Sequence, residues 1–190
     1  MCFAAQGRNK YHCITGGGPC FIVHPSDFAV ALLTLDAQVA IVSASDDEIR
    51  WIGLADLYVF PRRNLENETV LQPGEIITHV RVPALSVNTR SGYIKFKERG
   101  VRDFAVVSVA AVLNMAGNRV TSGRLTFGGV APILWRDEAL EGRLAGLTLD
   151  RSSSARFAKG AFSEVRLLTE NAIKVPLVRR LLEQLLVRPR

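Results

Sequence analysis

The longest apolar run in this chain, residues 105–113, has the length of a β-strand and contains Ser108. It falls well short of the roughly 20 apolar residues that a membrane helix requires, so the chain is expected to bury its hydrophobic side chains in a core of its own. A second strand-like stretch, residues 120–130, follows the first closely. The two are joined by Met115-Ala116-Gly117-Asn118-Arg119, a glycine-containing segment suited to a tight hairpin. Strands connected so briefly pair antiparallel. Residues 93–99 add a third strand, with Tyr93, Lys95, Lys97 and Arg99 on one face. Helices are then predicted near 136–144, over about 151–169, and over 177–187 behind Pro176. The last of these carries Leu177, Leu181, Leu182, Leu185 and Leu186 at helical spacing. Three antiparallel strands followed by helices form an α+β layout.

The first part of the chain reads differently. Residues 1–24 are rich in glycine and loop-like, with one short apolar strand at Phe21-Ile22-Val23. Ser26 or Asp27 is placed to cap a helix over 28–35, whose apolar face carries Phe28, Ala31, Leu32 and Leu35. Two strands, 37–44 and 48–52, are predicted on either side of Ser45-Asp46-Asp47. A charged loop at 61–68 leads to the turn Gln72-Pro73-Gly74, which launches a strand over 75–82. Residues 83–91 read as a linker. The expected organisation is therefore two domains, 1–85 and 86–190.

The chain carries a formal charge of +6. Its basic residues are dispersed apart from Arg62-Arg63, Arg179-Arg180 and the tail arginines Arg188 and Arg190. Nucleic-acid binding calls for clustering or a recognition motif, so a solvated surface with docking patches is the better reading. The N-terminus lacks the basic-then-apolar pattern of a secretory signal, which points to a soluble cytoplasmic protein. All three cysteines, Cys2, Cys13 and Cys20, fall in the first 20 residues. An odd number without a secretion signal argues against a disulfide framework. Their clustering fits a metal or cluster loop, and it also fits chance.

Two segments could carry chemistry. In Thr15-Gly16-Gly17-Gly18-Pro19-Cys20, the triplet Gly16, Gly17 and Gly18 could let backbone N–H groups approach an anion, although a glycine triplet taken alone is most simply a turn. Ser26 and Asp27, just downstream, offer acceptors for sugar-like hydroxyls beside a helix N-terminus. In the second segment, the basic face of Tyr93-Ile94-Lys95-Phe96-Lys97-Glu98-Arg99 leads into Gly100-Val101-Arg102-Asp103-Phe104-Ala105. Such a face meets either an anionic ligand or water.

Taken together, these segments resemble a known family. Four motifs occur in order. The first runs from Tyr11-His12 through the glycine triplet to His24-Pro25-Ser26-Asp27. The second is Leu71-Gln72-Pro73-Gly74-Glu75-Ile76-Ile77, ending at Val82-Pro83. The third is Tyr-x-Lys-x-x-x-Arg-x-x-x-Asp-x-Ala from Tyr93 to Ala105, and the fourth is Leu125-Thr126-Phe127-Gly128-Gly129-Val130-Ala131-Pro132. This pattern is similar to the FAD-binding subunit of xanthine dehydrogenase, carbon monoxide dehydrogenase and bacterial aldehyde oxidoreductases. The resemblance implies a partial FAD-binding domain followed by a flavoprotein C-terminal domain. It implies electron relay from iron–sulfur centres through FAD to an acceptor. The implied partners are a molybdopterin-binding large subunit and a [2Fe–2S] small subunit.

Residue by residue, the resemblance puts Ser26 and Asp27 in contact with FAD, Ile77 against the isoalloxazine, and Lys95 at the pyrimidine edge. It puts Asp103 in the loop beside the flavin, with Arg99 structural or near the ring. Some relatives also hold a [4Fe–4S] cluster, for which Cys2 and Cys20 match the last two ligands and Cys13 is a further thiol. Such a cluster needs four thiolates. The family's Gly-Gly-Thr-Asp-Leu and Gly-Gly-Asn phosphate loops are not found in this sequence, so the chain is read as N-terminally truncated. It is expected to bind FAD weakly, with residues 1 to about 30, Gly16–Gly18 among them, poorly ordered. The rival expectation is a non-catalytic assembly module or remnant.

Overall fold

The computed structural model describes residues 2–44 and 46–187, without the side chains of Asp46 and Asp47. The two arginines noted in the tail, Arg188 and Arg190, lie outside the described residues, as does Ser45. After a single 3-10 turn at Phe3–Ala5 and a long loop come α1 (Asp27–Thr34), β1 (Gln38–Ser43), β2 (Asp46–Gly53) and the short helix α2 (Leu54–Leu57). Next are β3 (Glu75–Arg81), β4 (Thr89–Phe96), β5 (Val107–Ala116), β6 (Arg119–Gly128) and β7 (Trp135–Arg136). The chain closes with α3 (Glu138–Gly142), α4 (Arg151–Lys159) and α5 (Lys174–Val187). The strands form two antiparallel sheets, ordered β2-β1-β3 and β4-β5-β6-β7.

The burial of β5 explains why its sequence is apolar without alternation. Val107, Val109, Ala111, Leu113 and Met115 join Leu125 and Phe127 in a core covered by Phe157 of α4 and by Leu182 and Leu186 of α5. Ala110, on the opposite face, packs with Ala29, Val30, Leu32 and Leu33 of α1. Both faces of this strand are therefore covered, as in a sheet sandwiched between helices. Beyond α1 lies the second sheet, which contributes Val39 and Ile41 of β1 to the same α1-centred core. Helix α1 is thus the layer between two sheets. Its burial on two sides fits its composition, DFAVALLT.

The α+β architecture agrees with the sequence reading, while several boundaries move. Strand β4 begins inside the expected linker, because residues from Thr89 onward pair in register with Asn114 back to Val107. It ends at Phe96, where Lys97 Nζ donates to the Gly100 and Val101 carbonyls at 3.3 and 2.9 Å and turns the chain. The three expected strands gain a fourth, because Thr126 and Phe127 pair with Arg136 and Trp135. Helix α3 consequently starts later than expected, capped by Asp137, whose carboxylate accepts from Leu140 N at 2.9 Å. The helix predicted over 151–169 stops at Lys159. Gly160 caps it by donating to Ala158 and Phe157 carbonyls, and a Cβ there would collide with the Arg143 guanidinium. Helix α5 begins ahead of Pro176, which sits in its first turn where no backbone donor is needed.

Candidate functional site

The N-terminus of α1 and the middle of β4 meet at a small polar cluster. Ser26 takes extended backbone angles and its hydroxyl accepts from Ala29 N at 3.0 Å, so it is the N-cap of α1. The cap fixes Asp27 in the first turn. Tyr93 and Lys95 are two residues apart on β4 and therefore project from the same face. The Tyr93 hydroxyl donates to Asp27 Oδ1 at 2.7 Å, and the Lys95 ammonium forms an ion pair with Asp27 Oδ2. Lys95 also donates to the Asp103 carbonyl at 3.2 Å, which ties the β4–β5 loop to the cluster. Burial, together with the neighbouring Asp27 carboxylate, raises the Tyr93 hydroxyl above its ordinary range. Tyr93 therefore stays a donor at physiological pH.

The β4–β5 loop is held by charges. Arg99 Nη2 donates to Asp103 Oδ1 at 2.8 Å, and the Arg99 N–H approaches Asp103 Oδ2 at 3.3 Å. The guanidinium holds the Asp103 carboxyl down to about 2. Glu98 pairs with Lys10 at 2.5 Å and accepts from the Tyr11 hydroxyl at 2.6 Å, and both contacts lower its carboxyl. Between this loop and the N-terminal segment lies a cleft of about 390 Å³ lined by Val23, Pro25, Phe104 and Ala105, with Tyr11 and Asp103 at its polar side. That volume is within the range of small-molecule sites.

Asp27, Lys95 and Asp103, far apart in sequence, are thus brought together, and Tyr93 joins them. Sequence reading placed Tyr93 on the same strand face but gave it no role. The signal was the Tyr-x-Lys spacing on one strand face. Ile77 lies elsewhere, on the edge strand β3 opposite Ile41, with 40% of its surface exposed. The glycine triplet packs closely into its surroundings. Gly16 has φ +65°, and a Cβ there would lie 3.0 Å from Phe60 and 3.3 Å from Trp135. A Cβ on Gly17 would lie 2.5 Å from Cys13 Sγ and 2.7 Å from Phe21. Gly18 precedes the cis peptide to Pro19. The loosely held loop expected here is instead anchored, because Ile14 N and Thr15 N both donate to the Val130 carbonyl, at 2.8 and 3.2 Å.

The three cysteines converge. Cys13 and Phe21 are buried with Ala4, and Cys2 packs against them. Burial pushes the Cys13 thiol up to about 12. Partial burial also raises Cys2, but hydrogen bonds from the backbone at Phe21 and Ala4, and from the Cys20 side chain, outweigh it and leave the thiol lowered. Cys2 and Cys20 are therefore neighbours, and all three cysteines are free thiols. Among the described residues no group of three or more His, Cys, Asp or Glu side chains is arranged to hold a metal ion. The residues present do not by themselves make up a four-thiolate cluster, since the chain has three cysteines. No described helix is long and apolar enough to cross a membrane.

Comparison with known proteins identifies both halves of the chain. Residues 5–85 match the FAD binding domain in molybdopterin dehydrogenase, and residues 92–188 match the CO dehydrogenase flavoprotein C-terminal domain. The fold aligns with quinoline 2-oxidoreductase from Pseudomonas putida 86 at a TM-score of 0.72 and 20% identity, over 95% of this chain and 58% of that one. It aligns with carbon monoxide dehydrogenase from Hydrogenophaga pseudoflava at a TM-score of 0.69 and 19% identity, over 92% of this chain and 56% of that one. These alignments show a fold shared with those chains. The chain belongs to the family of FAD-binding medium subunits of molybdenum hydroxylases. Among individual relatives, it is 34% identical to the aldehyde oxidoreductase FAD-binding subunit PaoB of Escherichia coli, over all of this chain and 56% of the relative. It is 32% identical to the carbon monoxide dehydrogenase medium chain of Hydrogenophaga pseudoflava, over 50% of this chain and 33% of the relative. The chain thus spans little more than half the length of the E. coli relative.

Proposed function

We propose that this chain supplies the C-terminal part of a flavin site in a molybdenum-hydroxylase complex, relaying electrons from iron–sulfur centres of partner subunits to an acceptor. The observation that carries the reading is the convergence of Asp27, Tyr93, Lys95 and the Asp103 carbonyl at the junction of α1 and β4. FAD, when bound, would supply the redox chemistry, exchanging electrons one or two at a time. The chain's own residues would position and tune it. Lys95 would offer a cation to the negative charge of the reduced ring, held by its ion pair with Asp27, to which Tyr93 also donates. Ser26 and Asp27 offer acceptors to the polyol, and the apolar Ile77 offers a surface for the ring. Gly16–Gly18 would contribute backbone donors, with Asp103 in the loop alongside. The partners proposed are a molybdopterin-binding large subunit and a [2Fe–2S] small subunit, and the location proposed is the cytoplasm. A [4Fe–4S] cluster would draw on Cys2 and Cys20 only with thiolates from beyond this sequence.

The pyrophosphate of FAD needs several backbone donors around it, and the family's two phosphate loops are not in this sequence. Weak FAD binding is therefore expected when the 190-residue chain is titrated by flavin fluorescence. Tight, stoichiometric binding would show that the residues here suffice. A folded, colourless chain that still captures the large subunit would favour the assembly-module alternative. In a protein that also carries the phosphate loops, Lys95→Ala should lower the flavin midpoint potential. An unchanged potential in a folded variant would return Lys95 to a solvated strand face.

A further inference from the structure

Residues 2–14 contain two of the three cysteines, and their hydrogen bonds to distant parts of the chain run to the C-terminal half. Asn9 is fully buried and has several partners there. Its N–H donates to Glu170 Oε2 at 3.1 Å, its amide donates to Thr169 Oγ1 at 2.9 Å, and its Oδ1 accepts from Glu170 N at 2.8 Å. Asn171 donates to the Cys13 carbonyl at 2.8 Å, and Arg166 N donates to the Ile14 carbonyl at 3.1 Å. At the centre is Lys174, a lysine with 1% of its surface exposed. Its ammonium donates to the carbonyl of Tyr11 at 2.6 Å and to that of Gly129 at 2.5 Å. No carboxylate lies within ion-pair distance of it among the described ion pairs. A buried ammonium needs hydrogen-bond acceptors, and here two acceptors come from two separate segments. The contacts of this stretch with the three-stranded sheet region begin only further along, where Gly16 approaches Phe60 and His24 stacks on Tyr58.

We propose that Lys174 is the positioning residue that seats the segment 2–14 on the four-stranded sheet domain, so that Cys2 and Cys13 move with that domain and not with the three-stranded sheet. This places the division between structural units differently from a cut near residue 85. The segment 2–14 precedes α1 in sequence but is bonded to residues 129–130 and 166–174. The inference does not depend on the flavin reading.

The test is pulse alkylation of Cys13 in the intact chain at neutral pH, read by mass spectrometry and normalised to the rate in denaturant. Hydrogen exchange over β5 and β6 is recorded in parallel. Lys174→Met keeps the aliphatic bulk and removes the donors. It should raise Cys13 labelling about tenfold or more through local opening while β5 and β6 stay protected. Asn9→Ala, at the other end of the contact, should do the same. Leu57→Ala, which loosens the α1-centred core, should leave Cys13 labelling unchanged. If Lys174→Met unfolds β5 and β6, Asn9→Ala decides: increased labelling in a folded domain supports the assignment, and unchanged labelling overturns it. Labelling that follows Leu57→Ala and ignores both other variants overturns it as well.

Discussion

Gly128 is where the packing of the two halves sets the geometry of the polar cluster, and Gly128→Ala perturbs it by one methyl group. Gly128 pairs with Ser108 across β5 and β6 on the face that receives α1. An added Cβ would lie 2.7 Å from Val30 Cγ2 and closer still to Ser108 Oγ. Carbon atoms at optimal contact sit about 3.5–4.0 Å apart, so α1 would have to lift by about 1 Å. Val30 has no exposed surface and little room to yield. Overpacking of this kind costs about 1–3 kcal/mol, and for a chain of this length each kcal/mol lowers the melting temperature by about 2–4 °C. A fall of about 3–10 °C in calorimetry is expected. Because Asp27 lies one turn ahead of Val30 on α1, the same lift should break the 2.7 Å bond from Tyr93 to Asp27. The cost of Tyr93→Phe, about 0.5–1.5 kcal/mol in the parent, should then nearly vanish in the Gly128→Ala background. Gly142→Ala is the control, since nothing lies within 4 Å of its added Cβ. An unchanged melting temperature for Gly128→Ala, or strictly additive costs in the double variant, would refute the argument.

Other outcomes follow from the same structure. Ser26→Ala should cost about 1 kcal/mol in urea unfolding through loss of the cap on α1, and a neutral result would show that Ser26 is not needed as a cap. Arg99 holds the Asp103 carboxyl at about 2, below its ordinary 3.8. Stability from that pair is therefore complete above pH 3.8 and is lost as the pH falls toward 2. Arg99→Gln should move the Asp103 titration, followed by carbon NMR, back up toward 3.8, and an unmoved midpoint would remove the pairing as its cause. Reconstitution of the 190-residue chain with iron and sulfide should give substoichiometric iron, because its three cysteines fall short of the four thiolates a cluster needs. A full cluster that survives Cys20→Ser would sink the assignment of that residue.

Much of the fold was legible along the chain, wherever local chemistry and burial agree. The apolar run over residues 105–113, interrupted by Ser108, marked a strand, and Gly117 at φ +63° closes the hairpin where the turn residues stand. Ser26 could be recognised as a cap because an N-cap needs only its own helix. The leucines of α5 repeat at helical spacing because one face is buried against β5. Short or context-bound features were not legible. Strand β7 is two residues long and exists only because β6 offers an unpaired edge. Helix α4 ends where Gly160 meets a guanidinium from Arg143, a neighbour in space that the local sequence does not reveal.

The sequence by itself determined the α+β class and the family and proposed the site residues, because strand and helix periodicity and ordered motifs are local properties. Tertiary structure alone decided which of those residues touch. Asp27 and Lys95 are 68 positions apart, and their pairing depends on α1 lying across the face of β5 and β6. It also decided that Lys174, which reads as one more surface cation, is a fully buried clamp between Tyr11 and Gly129. A charge can be buried only where distant carbonyls surround it, and that arrangement exists only once the segments have been packed together.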